Sequence, residues 1–226
     1  MAFDIKTFQT RTLTAIIFAL VMLAGLLWNK WSFIVLFTVI HFGCWVEFVR
    51  LIKKIDPANY KLKSALGLLY ITLPIVLMIW MRVNNPVAVS DQYLKAIPCG
   101  IVFSIWINDT MAYIVGSFIG KTPLSSISPK KTKEGTYGGI ILCVFVISLI
   151  GYFTSFYTVA DWIVISLCCG IFGTLGDLLE SKLKRMANVK DSGSLMPGHG
   201  GFLDRFDSML VAIPFVFVYY ATFIGN

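Results

Sequence analysis

The sequence predicts an all-α fold, a polytopic transmembrane helical bundle of about seven helices with a cytoplasmic N-terminus. Three observations predict it. First, 57% of the 226 residues are hydrophobic and only 14% are charged, where a soluble domain carries about a quarter charged residues. With a mean hydropathy of +0.78, the chain has too few polar side chains to cover a water-facing surface. Second, the apolar residues come in blocks of about 20, the length a helix needs to cross a hydrocarbon core of about 30 Å. Third, the lysines and arginines concentrate in alternate connecting segments.

The blocks run Thr12–Trp28, Trp31–Ile52, Ser64–Met81, Ala96–Phe118, Gly138–Thr158, Trp162–Leu183 and Ser208–Ile224. Their periodicity is weak, as expected of helices that are apolar on every side. Lys6 and Arg11 precede the first block, and no convincing small-residue cleavage site follows, so it reads as an anchor helix and not as a removable signal. Of the 19 lysines and arginines, 16 fall on the N-terminal segment, on the loops after the second, fourth and sixth blocks, or, as Arg50 and Lys182, at the block ends that enter those loops. The positive-inside rule puts those segments in the cytoplasm and the C-terminus on the other side. The net charge of +7 therefore faces anionic lipid headgroups and any anionic substrate, and implies no nucleic-acid partner. All five cysteines lie inside apolar blocks without ligand spacing, which excludes a disulfide framework and a zinc site. No internal repeat divides the chain. It reads as one membrane domain over 1–226, with scaffold helices in 1–95 and the chemistry in 96–226.

The chemistry-bearing residues are carboxylates in apolar surroundings and the basic, turn-forming loops beside them. Asp109 sits inside the fourth block, and Asp177 and Glu180 near the end of the sixth. A charge at membrane depth costs at least about 2.5–3.5 kcal/mol, so it persists where it pairs, binds an ion or lines a watery cavity. For Asp109 a structural partner and a functional role both remain open. On one helix Asp177, Glu180, Ser181 and Lys184 share a face. The chain then passes Arg185, Lys190 and Asp191, turns through Ser192-Gly193, and reaches Pro197-Gly198-His199-Gly200-Gly201, whose glycines permit close approach of backbone to a ligand. It returns through Asp204, Arg205 and Asp207 at the start of the last helix, where an acid also serves as a simple N-terminal cap. Acids at the end of one helix and the start of the next supply converging oxygen ligands, which suits Mg²⁺. Lys182, Lys184, Arg185, Lys190 and Arg205 supply the cations that a phosphoryl transition state needs. The fourth loop, with Ser128, Lys130 and Lys131, is either a second substrate-contacting segment or an ordinary positive-inside loop. In the second loop the ordinary reading is preferred, and Glu47 with Arg50 three residues on can form a helix-face pair to which spacing assigns no role.

The stretch Ser181-Lys-Leu-Lys184-Arg185-x4-Lys190-Asp191-x-Gly193-x3-Pro197-Gly198-His199-Gly200-Gly201-x2-Asp204-Arg205-x-Asp207 closely resembles the signature of the CDP-diacylglycerol synthase (phosphatidate cytidylyltransferase) family. Asn108-Asp109-Thr-x-Ala112-Tyr113-x2-Gly116 and Ser128-Pro-Lys-Lys-Thr132-x-Glu134-Gly135 are also similar to it. Met196 stands where the family usually has Leu, Ile or Phe, Lys133 where Trp is common, and Ser117 where a basic residue is frequent. The resemblance implies that CTP and phosphatidate give CDP-diacylglycerol and pyrophosphate at a Mg²⁺-dependent site facing the cytoplasm of a bacterial inner membrane. It suggests a homodimer. Asp177 and Asp204 are the expected metal ligands, with Asp207 assisting. Lys184, Arg185, Lys190 and Arg205 are expected on phosphates, and Asp191 on a lysine or the metal. Ser128, Lys130, Lys131, Gly198, His199, Gly200 and Gly201 are expected to line the nucleotide, although for His199 a hydrogen bond that fixes the loop serves nearly as well. Two rivals stand beside this reading: a CTP-dependent polyprenol or phytol kinase, and a cation transporter using membrane carboxylates. A CDP-alcohol phosphatidyltransferase fits less well, because its Asp-Gly-x2-Ala-Arg opening is absent.

Overall fold

The computed structural model describes residues 5–84, 90–193 and 200–225, with the backbone alone for residues 5–11. The regular elements among them are helices: α1 (Ile5–Leu27), α2 (Lys30–Ile55), the short α3 (Tyr60–Ser64), α4 (Leu73–Val83), α5 (Asp91–Ile119), α6 (Lys133–Thr154), α7 (Val159–Met186) and α8 (Leu203–Tyr219). Each apolar block of the sequence falls largely on helix. Six stretches are long and apolar enough to cross a membrane: Lys30–Ile55, Tyr60–Val83, Asp91–Ile119, Lys133–Thr154, Val159–Met186 and Leu203–Ile224. The first helix contributes a shorter apolar run, Thr12–Leu27. The third block is composite. α3 leads through a π-helical turn, Leu68–Thr72, into α4. Pro74 follows directly; it donates no N–H, so the α-helical ladder is interrupted there and the wider turn accommodates it.

Local chemistry sets the ends of the helices that matter below. Asn29 caps α2, its side chain accepting from the amides of Trp31 and Ser32 at 2.8 and 3.0 Å. Ser32 Oγ accepts in return from the Asn29 amide at 3.1 Å, the reciprocal arrangement of a capping box. The last turn of α2 carries Lys53 and Lys54, where the helix dipole favours cations. In the following loop Lys63 pairs with Asp56 at 2.7 Å. That bond, with those from Asn59, holds the Asp56 carboxyl down at about 2.

The chain divides into two compact units, one of Met1–Ile75 with Leu183–Phe206 and the other of Val76–Lys182 with Asp207–Asn226. The first is built on α2, whose Phe33, Phe37, Ile40, Cys44, Phe48 and Leu51 form a buried stripe at helical spacing. Val35, Val39, Phe42 and Val46 stay exposed on its other side, as a lipid-facing surface requires. The second unit is built on the α5–α6 pair. A Cβ at Gly135 would stand 2.7 Å from the Ala112 carbonyl oxygen, and one at Gly139 would stand 2.7 Å from Ala112 Cβ. Small residues let these two backbones approach, the usual device where helices pack in lipid. Gly139→Val is expected to cost about 1–3 kcal/mol by overpacking. Thermal unfolding in detergent would read this as a fall of several degrees, and an unchanged midpoint would contradict the contact.

Candidate active site

In the second unit a cavity of about 600 Å³ opens among α5, α6, α7 and the loop before α6. Its polar lining includes Asn108 and Asp109 from α5, Lys130, Lys131 and Thr132 from the loop, Thr136 from α6, and Thr174 and Asp177 from α7. Lys131 Nζ lies 2.7 Å from an Asp177 oxygen, with the two side chains about a third exposed, at 35% and 27%. Asp207 is buried at the start of the unit's portion of α8, its Oδ1 accepting from the Ser208 amide at 2.7 Å. Asp109, Asp177 and Asp207 stand within electrostatic reach of one another and of Lys131. A Cβ at Gly176 would overlap the Asp207 carbonyl oxygen, so glycine beside Asp177 lets α7 and α8 bring these acids together.

The loop that carries Lys130 and Lys131 is fixed at its base. Glu134 accepts from the amides of Lys121 and Thr122, each at 3.1 Å. Thr132 caps α6 through the Gly135 amide at 3.1 Å, and Pro123 and Thr132 form a single antiparallel bridge. The Ser128 carbonyl accepts from the Lys131 amide at 3.1 Å. Ser128 thus shapes the turn, while Lys130 and Lys131 reach the cavity.

In the first unit the signature segment is clamped by two carboxylates. Asp204 Oδ1 is 2.6 Å from Lys184 Nζ. Its Oδ2 accepts from the Ser192 amide at 2.9 Å, the Ser192 hydroxyl at 2.8 Å and the Gly201 amide at 2.8 Å. The second clamp is Glu47 of α2, 4% exposed. It accepts from Ser192 Oγ at 2.7 Å and from the amides of Phe202 and Leu203, each at 2.9 Å. The Ser192 hydroxyl has one proton and two carboxylates in range, so it serves one at a time. Together the two acids satisfy the amides of Gly201, Phe202 and Leu203 at the N-terminus of α8, where the helix dipole favours negative charge. Gly200 adopts φ +80, a left-handed conformation that glycine takes without strain. Side chains at Gly193 or Gly201 would overlap the Glu47 carboxylate.

Several sequence expectations change at this point. Glu47 makes no helix-face pair with Arg50; it turns inward, because three donors in a buried setting outweigh an exposed ion pair worth about 1 kcal/mol or less. Asp204, an expected metal ligand, has its Oδ2 engaged by Ser192 and Gly201 and its Oδ1 by Lys184 alone. Arg185, Lys190, Asp191 and Arg205 are exposed. Gly198 and His199 lie outside the described residues. Glu180 is fully buried on α7. Asn108 belongs to the α5 segment that resembles the family. It is 4% exposed, lines the cavity, and its Oδ1 has no hydrogen-bond partner among the described residues.

Among the described residues no three His, Cys, Asp or Glu side chains stand close enough to ligate one ion. The donor chemistry nevertheless fits a hard cation. Three carboxylates share one region with Lys131 as their charge partner, and hard divalent ions take carboxylate oxygens. Such a cavity, with acids on helices and lysines on a braced loop, can hold a polyphosphate and neutralise charge that develops on it.

Comparison with known proteins agrees with this chemistry. Residues 68–223 match the model of the cytidylyltransferase family. A phosphatidate cytidylyltransferase of Staphylococcus saprophyticus is 46% identical over 113 residues, covering 49% of this chain and 43% of that protein. One of Bacillus subtilis is 46% identical over 127 residues, covering 53% of this chain and 45% of that protein. The matched part spans less than half the length of these curated relatives. The family match takes in the fourth loop, the acids of α5, α7 and α8, and the clamped signature segment alike, and the chain belongs to the cytidylyltransferase family.

Proposed function

We propose that the chain transfers the cytidylyl group of CTP to phosphatidate, giving CDP-diacylglycerol and pyrophosphate. One observation carries this reading: a single cavity joins the acids of α5 and α7 to Lys130 and Lys131 of a braced loop. Metal-binding acids alone would suit cation transport; acids and lysines together suit a metal-bound polyphosphate. The names of the relatives supply the substrate pair.

A phosphate oxygen of the lipid attacks the α-phosphorus of CTP. A new P–O bond forms, the bond to the bridging oxygen of the β-phosphate breaks, and pyrophosphate leaves with that electron pair. The second pKa of a phosphate monoester is about 6, so the nucleophile is already ionised near neutral pH and no strong general base is needed. What the protein supplies is alignment and charge neutralisation. Lys130 and Lys131 bind phosphate oxygens in the cavity, and Lys131, held by Asp177, moves toward the charge that develops on the leaving group. Asp177 and Asp207, with Asp109 in reach, would hold Mg²⁺, which supplies further neutralisation of the triphosphate. Asp204 and Glu47 keep the signature segment in place.

The distribution of cations along the sequence supports an N-terminus and a site on the cytoplasmic side, where CTP is available. The test is purified protein in phosphatidate-containing micelles with Mg²⁺ and CTP labelled at the α-phosphate. Label in the lipid together with released pyrophosphate is the expected result. Label released as CDP would mean a lipid kinase, and ion flux in liposomes without CTP consumption would mean a transporter.

A further inference from the structure

Two cavities of the first unit share a pair of cations at the end of α2. One is a groove of about 480 Å³ lined by Trp45, Val46, Val49, Arg50, Lys53 and Tyr60. The other, about 580 Å³, is lined by Arg50, Lys53 and Lys54 together with Asp191, Ser192 and Gly193 of the signature segment. The first is apolar along its length and cationic at one end. Trp45 to Lys53 covers about 12 Å of helix, so the apolar wall passes into the basic end within the depth of a membrane interface. Its wall is built in advance. The Trp45 indole N–H donates to Thr72 Oγ1 at 2.9 Å, and its ring rests against Gly67, where a Cβ would meet it at 2.8 Å.

The charges in this region are unevenly spent. Lys63 is paired with Asp56. Lys53 lies over the Tyr60 ring at 5.5 Å. Among the described residues neither Arg50 nor Lys54 has a hydrogen bond or ion pair, and all three of Arg50, Lys53 and Lys54 are exposed. Three cations within little more than one helical turn repel one another. The dipole at the end of α2 offsets part of that, and a doubly charged phosphate would offset more. The side chain that could have neutralised Arg50 from the same helix, Glu47, is instead committed to Ser192, Phe202 and Leu203.

We infer that this groove and cavity bind the acceptor lipid, with an acyl chain along Trp45, Val46 and Val49 and its phosphate monoester between Arg50, Lys53 and Lys54. The geometry then puts the phosphate of a membrane lipid beside Ser192 and Gly193, in the segment that Glu47 and Asp204 hold. The identity of the occupant rests on the proposed transfer to phosphatidate; the groove and its cations do not. Arg50 and Lys53 are substrate-binding residues that the ordinary reading of a positive-inside loop leaves without a role.

Two measurements test this separately from turnover. In the first, spin-labelled phosphatidate and phosphatidylcholine are compared for association with the full chain in bilayers without CTP. Wild type is expected to prefer phosphatidate, Arg50→Ala/Lys53→Ala to lose the preference, and Arg50→Lys to keep most of it. Val49→Trp, which fills the groove without touching charge, is expected to weaken association of the long-chain lipid. No preference in wild type, or an unchanged preference in the folded double variant, overturns the inference. In the second, steady-state rates are measured with each substrate varied. Arg50→Ala/Lys53→Ala is expected to raise KM for phosphatidate at least about tenfold, equivalent to about 1.4 kcal/mol of binding, and to move KM for CTP less than about twofold. Equal shifts in both overturn it. A chain that binds phosphatidate through this site yet transfers nothing from CTP would instead overturn the proposed reaction and leave the lipid site standing.

Discussion

Asp177→Asn is expected to lower the rate of cytidylyl transfer by about a hundredfold to a thousandfold, the loss that follows when one preorganised charge is removed from a transition-state site, while the protein stays folded. The two effects separate because of where Asp177 sits. Its partner is Lys131 at 2.7 Å, and both side chains keep access to solvent. An ion pair of that kind contributes about 1 kcal/mol or less to stability, so the folded state survives the substitution. Chemistry does not, for two reasons. In the proposed reaction a carboxylate that would hold Mg²⁺ is lost, and Lys131 loses its ion-pair partner at the cavity. Because a negative charge disappears from a site for a polyanion, KM for CTP is not expected to rise; the loss falls on kcat. Measured with labelled CTP and phosphatidate in micelles, near-normal Mg²⁺-dependent turnover of folded Asp177→Asn would remove this residue from the mechanism. Pairing the substitution with Lys131→Met extends the test. If the two act as a unit, the double variant falls little further than the worse single one, since effects within one catalytic unit are not additive.

Glu47→Gln is expected to damage both stability and turnover, although Glu47 touches no substrate in the proposed reaction. Its two oxygens receive three donors: the Ser192 hydroxyl and the amides of Phe202 and Leu203. Glutamine keeps the shape but replaces one oxygen by an NH₂ group, which meets an N–H or an O–H with another donor. At least one buried donor is then unsatisfied, at about 1–3 kcal/mol, and the negative charge at the α8 N-terminus is gone as well. Repositioning cannot relieve this, because the backbone at Gly193 and Gly201 packs directly on the carboxylate. The melting temperature in detergent is expected to fall by several degrees. Hydrogen exchange of the Phe202 and Leu203 amides is expected to accelerate while α5 and α6 keep their protection. kcat is expected to fall with the loosened segment. Unchanged exchange at those two amides would mean that the carboxylate does not hold them.

The helices were legible in the sequence because membrane burial leaves a summable mark. A run of about 20 apolar residues needs no knowledge of its neighbours to be read as a spanning helix. Asp109 and Asp177 were legible for a related reason, since an acid within apolar sequence is conspicuous whatever it contacts, and Asp207 stood out as an acid opening the last helix. Glu47 was not. It lies at the basic end of an apolar helix with Arg50 one turn on, so local spacing offers an ordinary surface pair. Its actual partners are 145 to 156 residues away in sequence. The cations Arg50, Lys53 and Lys54 were masked in the same way, since positive charge after a membrane helix is ordinary. Only the groove against Trp45 and Tyr60 and the cavity beside it single them out.

The sequence by itself determined that the chain is all-helical and apolar enough for a membrane, which loops carry its cations, and which segments hold a cytidylyltransferase signature. These follow from composition, block length and residue order, all of which are local. The tertiary structure decided how each polar group is spent. It commits Asp204 to Lys184, Ser192 and Gly201, brings Asp109, Asp177 and Asp207 within reach of Lys131, and makes Glu47 the acceptor for the start of α8. A carboxylate has no preference in sequence among a lysine, a backbone amide and a metal ion. Inside a low-dielectric fold the donors that the packing brings nearest decide, and those donors come from elements far apart along the chain.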